Sequence, residues 1–586
     1  MSGMNLIEAL EYVNRPSPKS ADCVRIFLAC GSTPLHVETF LNANLRKLCP
    51  TSRIEVKTGL FGDLVGNLER LQPHDHDALV ILIEWSDLDS RLGVRNLGGW
   101  QLEKLPDTIK SATLRLRQLS AAVDAGARVL PTYVCLPTLP LPPLFYTGTQ
   151  IASTFEFNLR ASVALFAEEI SQHRHVRVVS TQHLDEQSPL SKRFDPRTEI
   201  TQGFPYSTFH TSVLGQVIAE LICRPEPKKG LITDLDDTMW SGILGEVGVE
   251  GITWNSDRNA QIHGIYQQFL ASLASSGVLI GVASKNEPAL VEAALRRNDL
   301  LISKDSMFPI EASWGRKSES VKGILRRWNV LADSVIFIDD SAMEVAEVQA
   351  AFPEMECLVF PKNDYGAMWK LLTHLRDRFA KTQILEEDSV RVQSIRSSEA
   401  FRDSSLDQCS MDDFLEQAEG HLTFVAGKLV EDKRAFELVN KTNQFNLNGK
   451  RYDERAWSTF FNEPRARAIT VSYEDKFGKL GKIAVMMGKV EDGRFVMDSW
   501  VMSCRAFSRR IEYHCLQYLF EAFDIAEIAF QVHTTGRNGP ILELLKGFAE
   551  GPIEGPFRLT RPCFWKKALK MPHKVLEEAL AEWKID

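Results

Sequence analysis

The sequence predicts an α/β protein of three domains, two with parallel, helix-flanked sheets and a third of α+β type. Three observations lead there. Over residues 1–225, and again over 226–385, short apolar runs alternate with helix-length amphipathic stretches, the pattern of βαβ units. Several of those runs end on Ser, Thr or Asp, and in open parallel sheets ligands sit at the carboxyl ends of the strands. From residue 421 to 586 apolar runs follow one another closely, as in an antiparallel sheet, before helices return. A length of 586 residues suits three domains at roughly 150–200 residues each.

Composition narrows the function. Hydrophobic residues make up 44% and charged residues 25%, as in ordinary soluble proteins. A net charge of −9 gives no support to nucleic-acid binding. The ten cysteines include no CxxC pair, which argues against zinc sites and disulfide frameworks and for a reducing compartment. There is no basic-then-apolar leader and no apolar run near membrane-spanning length, so a cytoplasmic protein without a membrane partner is expected.

Taken in order, residues 5–13 read as a short helix, 24–30 as a buried strand ending at Gly31-Ser32-Thr33-Pro34, and 36–48 as a helix. Residues 54–56 and 78–85 read as strands, with a polar helix between them. Residues 108–125 form a helical pattern with Asp107 as candidate N-cap and Gly126 just past the end. Strands are expected at 129–136 and 176–180, with a helix over 155–173 between them. A strand ending in Gly-Ser-Thr resembles the degenerate SGNH-hydrolase-like domain that precedes a phosphatase domain in some large proteins. That resemblance makes Ser32 a nucleophile analogue and His210 its late histidine. No Asp stands three residues before His210, however; Ser207 is there. The competing reading is that Ser32 caps the following helix and His210 is structural, leaving a docking domain without chemistry. Residues 224–229, Arg-Pro-Glu-Pro-Lys-Lys, form a natural linker.

The second domain opens on Gly230-Leu231-Ile232-Thr233-Asp234-Leu235-Asp236-Asp237-Thr238. An apolar strand runs into aspartates at i and i+2, which share a face if the segment stays extended. Two carboxylates that close repel unless a cation lies between them, and a hard cation with oxygen ligands, most simply Mg2+, is the natural choice. Four glycines in residues 242–251 suggest a small β-hairpin flap. A helix is expected over 260–276, then a strand over 278–283 ending in Ser284-Lys285-Asn286. Lys317 precedes a helix, and a strand over 334–338 ends in Asp339-Asp340. The gap from Thr238 to Ser284 is too short for a helical cap domain, so the pocket should be open.

These four segments in this order resemble the haloacid dehalogenase-like (HAD) phosphotransferases. The wording Asp-Leu-Asp-Asp-Thr-Met-Trp-Ser-Gly-Ile-Leu-Gly-Glu, Ala-Ser-Lys-Asn, Trp-Gly-Arg-Lys and Phe-Ile-Asp-Asp-Ser resembles their FkbH-like subclass. Mild departures fall at Asp237 and Ser341. The resemblance implies that Asp234 is a nucleophile and Asp236 a general acid/base. It implies Ser284 and Lys317 on the phosphoryl group, Thr238 and Asn286 near the substrate, and Mg2+ held by Asp234, Asp236, Asp339 and Asp340.

Residues 386–420 read as a polar linker. Beyond it Lys441-Thr442-Asn443-Gln444-Phe445-Asn446 also matches the FkbH-like pattern. Strands over 468–473, 481–488 and 495–502, a helix over 510–523, a strand over 525–532 and a final helix opened by 535–538 resemble a GNAT acyltransferase fold. The loop Arg505-Ala506-Phe507-Ser508-Arg509-Arg510 lacks the glycines that let backbone N–H groups cradle a pyrophosphate. Its arginines still suit a phosphorylated molecule or a phosphopantetheine arm. Cys504, beside Arg505 and ahead of a helix, has two readings: a thiol activated by its surroundings, or a buried structural cysteine. His533 and Asn538 are candidates to line that site.

The family resemblance implies an enzyme that takes the three-carbon unit of 1,3-bisphosphoglycerate, removes its phosphates, carries glycerate as a thioester, and passes it to the phosphopantetheine thiol of an acyl carrier protein for polyketide or related biosynthesis. Cys504 would be the carrier thiol. Two other readings stand beside it: a HAD phosphatase for another small phosphorylated metabolite with a partner-binding C-terminal domain, and a non-enzymatic scaffold.

Overall fold

The computed structural model describes residues 4–16, 23–128, 130–144, 148, 150–173, 175–381, 392, 395–396, 411–427, 429–476, 478–503, 506–507, 509–549, 553 and 555–579. Its contacts resolve two compact units, Met1–Pro225 and Glu226–Asp586, where three domains are expected. The second unit carries two sheets, and most of the expected linker lies outside the described residues. No described helix is long and apolar enough to cross a membrane.

In the first unit, β1 (Cys23–Cys30), β2 (Arg53–Thr58), β3 (Ala78–Leu82), β4 (Thr132–Cys135) and β5 (Val176–Val178) form an all-parallel sheet of order β2-β1-β3-β4-β5. Alternation along β3 shows how both faces are used. Ala78, Val80 and Leu82 pack with Val37, Leu41 and Ile218 of the helices Leu35–Leu48 and Thr208–Ile222. Leu79 and Ile81 pack with Leu119, Val123 and Leu159 of the helices Leu105–Ala127 and Thr154–Ser171. A strand buried on both faces must be apolar throughout, which is why it reads as one continuous run.

Several local expectations change. The helix Leu35–Leu48 starts after Pro34 with no side-chain cap, so Ser32 does not cap it. Asp107 and Gly126 both lie inside the helix Leu105–Ala127, which begins two residues earlier at Leu105 and reaches Ala127. His210 is fully buried and meets two hydroxyls, Thr138 Oγ1 at 3.0 Å from Nε2 and Ser188 Oγ at 2.9 Å from Nδ1. Thr138 donates in turn to Glu84 Oε1 at 2.6 Å. With the Thr138 hydrogen given to Glu84, Nε2–H donates to Thr138 and Nδ1 accepts from Ser188. The histidine is thereby a fixed structural group.

The second unit opens with β6 (Gly230–Thr233), β7 (Leu279–Ser284), β8 (Met307–Ala312), β9 (Val335–Asp339) and β10 (Glu356–Val359), again all parallel, in the order β10-β9-β6-β7-β8. Leu231, Ile280, Ile336 and Ile338 face the helices Gln261–Ser275 and Tyr365–Phe379. Ile232, Leu279 and Phe337 face the helices Lys317–Trp328 and Ala342–Ala351. The ring of Trp328 occupies the space left by Gly230 and Gly281, diagonal neighbours on the paired strands β6 and β7. A Cβ on either would come within 2.6 or 2.8 Å of its ring, and the indole Nε1 donates to Phe308 O at 2.6 Å. The glycine-rich stretch after β6 is not a hairpin. It closes on one pair, Ser241 with Thr253, and its tip is a helical turn, Leu244–Val247. Glycine spacing signals the turns but not the residues between them.

The last sheet consists of β11 (His421–Ala426), β12 (Phe445–Asn446), β13 (Ala466–Asp475), β14 (Gly478–Glu491), β15 (Arg494–Met502), β16 (Glu527–Phe530), β17 (Phe557–Thr560) and β18 (Lys574–Ala579). Its order is β17-β16-β15-β14-β13-β11-β18, with β12 on β15. An Asp492-Gly493 turn with both φ positive joins β14 to β15, the two-residue connection that matches strand twist. The helix expected to be the last starts at Gly539, later than expected, and is not the last: β17, the helix Arg561–Lys567 and β18 follow it.

Burial first, then the charge of Arg193, hold His210 down to about 3, against an ordinary value near 6.5. The unfolded chain therefore takes up a proton that the folded unit refuses. The stability His210 confers is present above about pH 6.5 and is lost as pH falls toward 3, at about 1.4 kcal/mol per pH unit. Hydrogen exchange of the helix Thr208–Ile222 at pH 7 and pH 5 should show this loss. His210→Gln should be less stable at pH 7 but should lose less on acidification.

Candidate active site

β6 is the first strand laid down, β7 and β8 add on one side of it, and the chain then crosses back to place β9 and β10 on the other. The strand order reverses between β6 and β9, where a parallel sheet opens a crevice at its carboxyl edge. Asp234 follows β6 and Asp339 ends β9, so the topology brings these two acids together. The Asp234 amide donates to Ile338 O at 2.9 Å, extending the ladder one residue past the strand and fixing where the carboxylate emerges.

Lys317 enters from the first position of its helix. Its Nζ lies 2.6 Å from Asp234 Oδ1, 3.0 Å from Asp339 Oδ2 and 3.4 Å from Glu344 Oε2, and the residue is only 3% exposed. Lys285 reaches Glu344 from the other side at 2.8 Å. Burial pushes the Asp234 and Asp339 carboxyls above their ordinary values; Lys317 opposes this, and at Asp234 the neighbouring Asp339 adds to it. Burial would lower Lys317, but the carboxylates outweigh it and hold its ammonium charged. One ammonium cannot balance two dry carboxylates and a third beside them.

Asp340 completes a group with Asp234 and Asp339 in which one oxygen from each lies within 4.8 Å of the others. All the donors are carboxylate oxygens and the local charge is negative, which fits a hard divalent cation. Asp340 is also held from behind: Lys362 Nζ lies 2.8 Å from Asp340 Oδ2 and 2.8 Å from Asp237 Oδ2. Burial raises the Asp237 carboxyl, but Lys362 and the Gly242 amide outweigh it and leave it below its ordinary value.

Asp236 is not in that group, which corrects its expected place among the metal ligands. The chain turns over residues 237–239, where Asp237 adopts a left-handed φ of 51°. Asp236 instead accepts from Trp240 Nε1 at 2.9 Å through Oδ1 and from Asn286 Nδ2 at 3.0 Å through Oδ2. The same Asn286 amide donates to Ser284 Oγ at 3.0 Å, so Asn286 links the end of β7 to the turn after β6. Thr238 is fully buried, with its carbonyl accepting from His263 Nδ1 at 2.9 Å and its Oγ1 without a hydrogen-bond partner among the described residues.

Lys317, Asp339 and Asp340 gather around Asp234, and Ser284 ends β7, where its Oγ meets Asn286. Glu344 and Lys362 are additions that the sequence reading missed. Glu344 carries a weak signal, an acid in the first turn of a helix capped by Ser341. Lys362 carries none without β10, which precedes it. In the last sheet Cys504 and Arg505 lie outside the described residues. His533 is exposed. Asn538 is buried, and its amide donates to the carbonyls of Asn446 at 3.0 Å and His533 at 2.9 Å, tying β12 to the loop after β16. That is a structural role.

No protein-family model and no curated protein matches this sequence. Among solved structures, the chain is similar to the N-terminal part of the protein BF1531 from Bacteroides fragilis, containing a phosphatase domain complexed with Mg. The two share 17% identity with a TM-score of 0.51, over 65% of this chain and 100% of that one. This is a likeness of fold. A protein from Parabacteroides merdae described as a GDSL-like lipase aligns at 15% identity over 36% of this chain and 100% of its own, with a TM-score of 0.22, too low to carry an argument.

Lys317→Gln shortens the side chain a little and removes the ammonium that bridges Asp234 and Asp339. Breaking such an arrangement costs about 3–5 kcal/mol. Thermal unfolding of the second unit should shift down accordingly, and added Mg2+ should recover part of the loss.

Proposed function

We propose that the second unit hydrolyses a phosphate ester at Asp234, with Mg2+ held by Asp234, Asp339 and Asp340. The observation that carries this reading is the three-carboxylate group beside a buried lysine at the strand-order reversal. The Mg-bound phosphatase domain of the Bacteroides fragilis neighbour supports it by likeness of fold. When bound, Mg2+ would offset the carboxylates and draw charge from the phosphoryl oxygens.

The chain's own residues supply the remaining chemistry. Asp234 attacks phosphorus to give an aspartyl phosphate, while Lys317 on its Oδ1 keeps the carboxylate ionised and oriented. Asp236, aimed by Trp240 and Asn286, gives a proton to the departing oxygen and later takes one from the water that cleaves the acyl phosphate. Asn286 already donates to Ser284 Oγ, which leaves the serine hydroxyl hydrogen for a phosphoryl oxygen.

The finer reading rests on the sequence resemblance. The substrate is 1,3-bisphosphoglycerate, the GNAT-like residues 421–586 carry acyl transfer, and the Cys504 thiolate attacks the acyl-phosphate carbonyl and expels inorganic phosphate, leaving a phosphoglyceryl thioester on the sulfur. Asp234 removes the remaining phosphate, and a cytoplasmic acyl carrier protein accepts the three-carbon unit.

Phosphate release should require Mg2+ and stop with a chelator. Asp234→Asn should lower it by about a thousandfold or more. Asn286→Ala, which removes only positioning, should cost roughly ten- to a hundredfold in kcat. With 1,3-bisphosphoglycerate, intact-protein mass spectrometry should show a three-carbon adduct that is absent in Cys504→Ala and discharged by carrier protein. Metal-dependent phosphate release without an adduct would overturn the finer reading alone.

A further inference from the structure

The first unit holds a cavity of about 200 Å3 that the chemistry above does not use. It lies at the carboxyl edge of the first sheet. Glu84 and Trp85 follow β3, and Leu139 to Pro143 follow β4. Phe194, Glu199 and Pro205 reach it from a loop closed by pairing of Phe194 with Tyr206. The wall is mostly apolar, and among the described residues its ionisable groups are Glu84 and Glu199.

These two acids differ. Both oxygens of Glu84 are taken, by the Thr138 amide and hydroxyl and the Leu139 amide. Glu199 is 7% exposed, and its Oε2 has no hydrogen-bond partner among the described residues. Its helix, Pro196–Gln202, is fixed at both ends: the Asp195 carboxylate caps the amides of Arg197 and Thr198, and Gly203 closes it with a left-handed φ of 71°. Arg95, the nearby cation, has its guanidinium over the Phe61 ring at 5.0 Å. A buried carboxylate oxygen without a donor is costly, and a ligand N–H would remove that cost.

We propose that this cavity binds a small primary ammonium ion on an apolar body, with the ammonium on Glu199 and the body against Trp85, Leu139 and Pro142. A carboxylate in an apolar wall selects a charged donor over a neutral one, because charge-assisted hydrogen bonds are the stronger kind. A quaternary ammonium has no N–H for Oε2. An anion would face two carboxyl groups and no cation in the wall.

Titration calorimetry of the full chain tests this with benzylammonium, benzyl alcohol, tetramethylammonium and phenylacetate. Benzylammonium should bind saturably, the alcohol and tetramethylammonium about tenfold or more weakly, and phenylacetate not at all. Glu199→Gln should abolish the preference for amine over alcohol. Leu141→Trp, which fills the cavity without touching the carboxylate, should abolish amine binding, and it carries the test if the glutamine variant does not fold. The proposal is overturned by no saturable heat with benzylammonium, by equal binding of alcohol and amine, or by amine binding that survives Leu141→Trp.

Discussion

The second unit depends on holding two carboxylates, Asp234 and Asp339, next to each other in a dry place. Their proximity is forced by neighbouring parallel strands that end at the same level. Backbone amides give some relief, Ser341 N–H donating to Asp339 Oδ1 at 2.9 Å and the Leu235 amide favouring the Asp234 carboxylate, but the larger share comes from side chains. Lys317 is the principal one, and its position at a helix start brings it down onto both acids. Glu344, Lys285, Asp340 and Lys362 then form a surrounding lattice of alternating charge. The lattice still leaves an excess of negative charge, and that excess makes the site receptive to a cation.

Asp234, Ser284 and Asp339 are legible because each sits where an apolar run stops, and a buried parallel strand is hard to disguise; Lys317 is legible instead from its place at the start of a helix. Asp236 was placed on the right segment but aimed wrongly. Its oxygens are held by Trp240, reached across the turn that follows, and by Asn286, which comes from beyond β7, and the sequence signals neither partner. The strands β8 and β10 went unread for a related reason. Both lie at sheet edges and are only partly buried, and β8 contains Pro309 while β10 opens on Glu356, so neither presents a continuous apolar run. Missing β10 hid Lys362 as well. In the last sheet the meander β13–β15 was plain from its length, whereas the tie made by Asn538 joins segments about ninety residues apart and has no local signal.

The first two sheets share one plan, five parallel strands with helices on both faces, and yet diverge at the edge where ligands bind. One gathers acids around a lysine. The other places His210 between two hydroxyls and leaves a single glutamate facing an apolar hollow. The scaffold explains where chemistry can happen, and the side chains at its rim explain which chemistry.

The indole of Trp328 in its two-glycine slot has a consequence at the opposite end of its helix. Lys317 and Trp328 are the first and last residues of one rigid rod, about 16 Å apart at 1.5 Å per residue. The slot accepts the ring in one place, so the rod behaves as a ruler with its zero mark on the sheet and the lysine at the far graduation. How deep the ammonium sits among the acids is therefore set by glycines that never meet a substrate, and a single residue added or lost along the rod would withdraw the charge from the site.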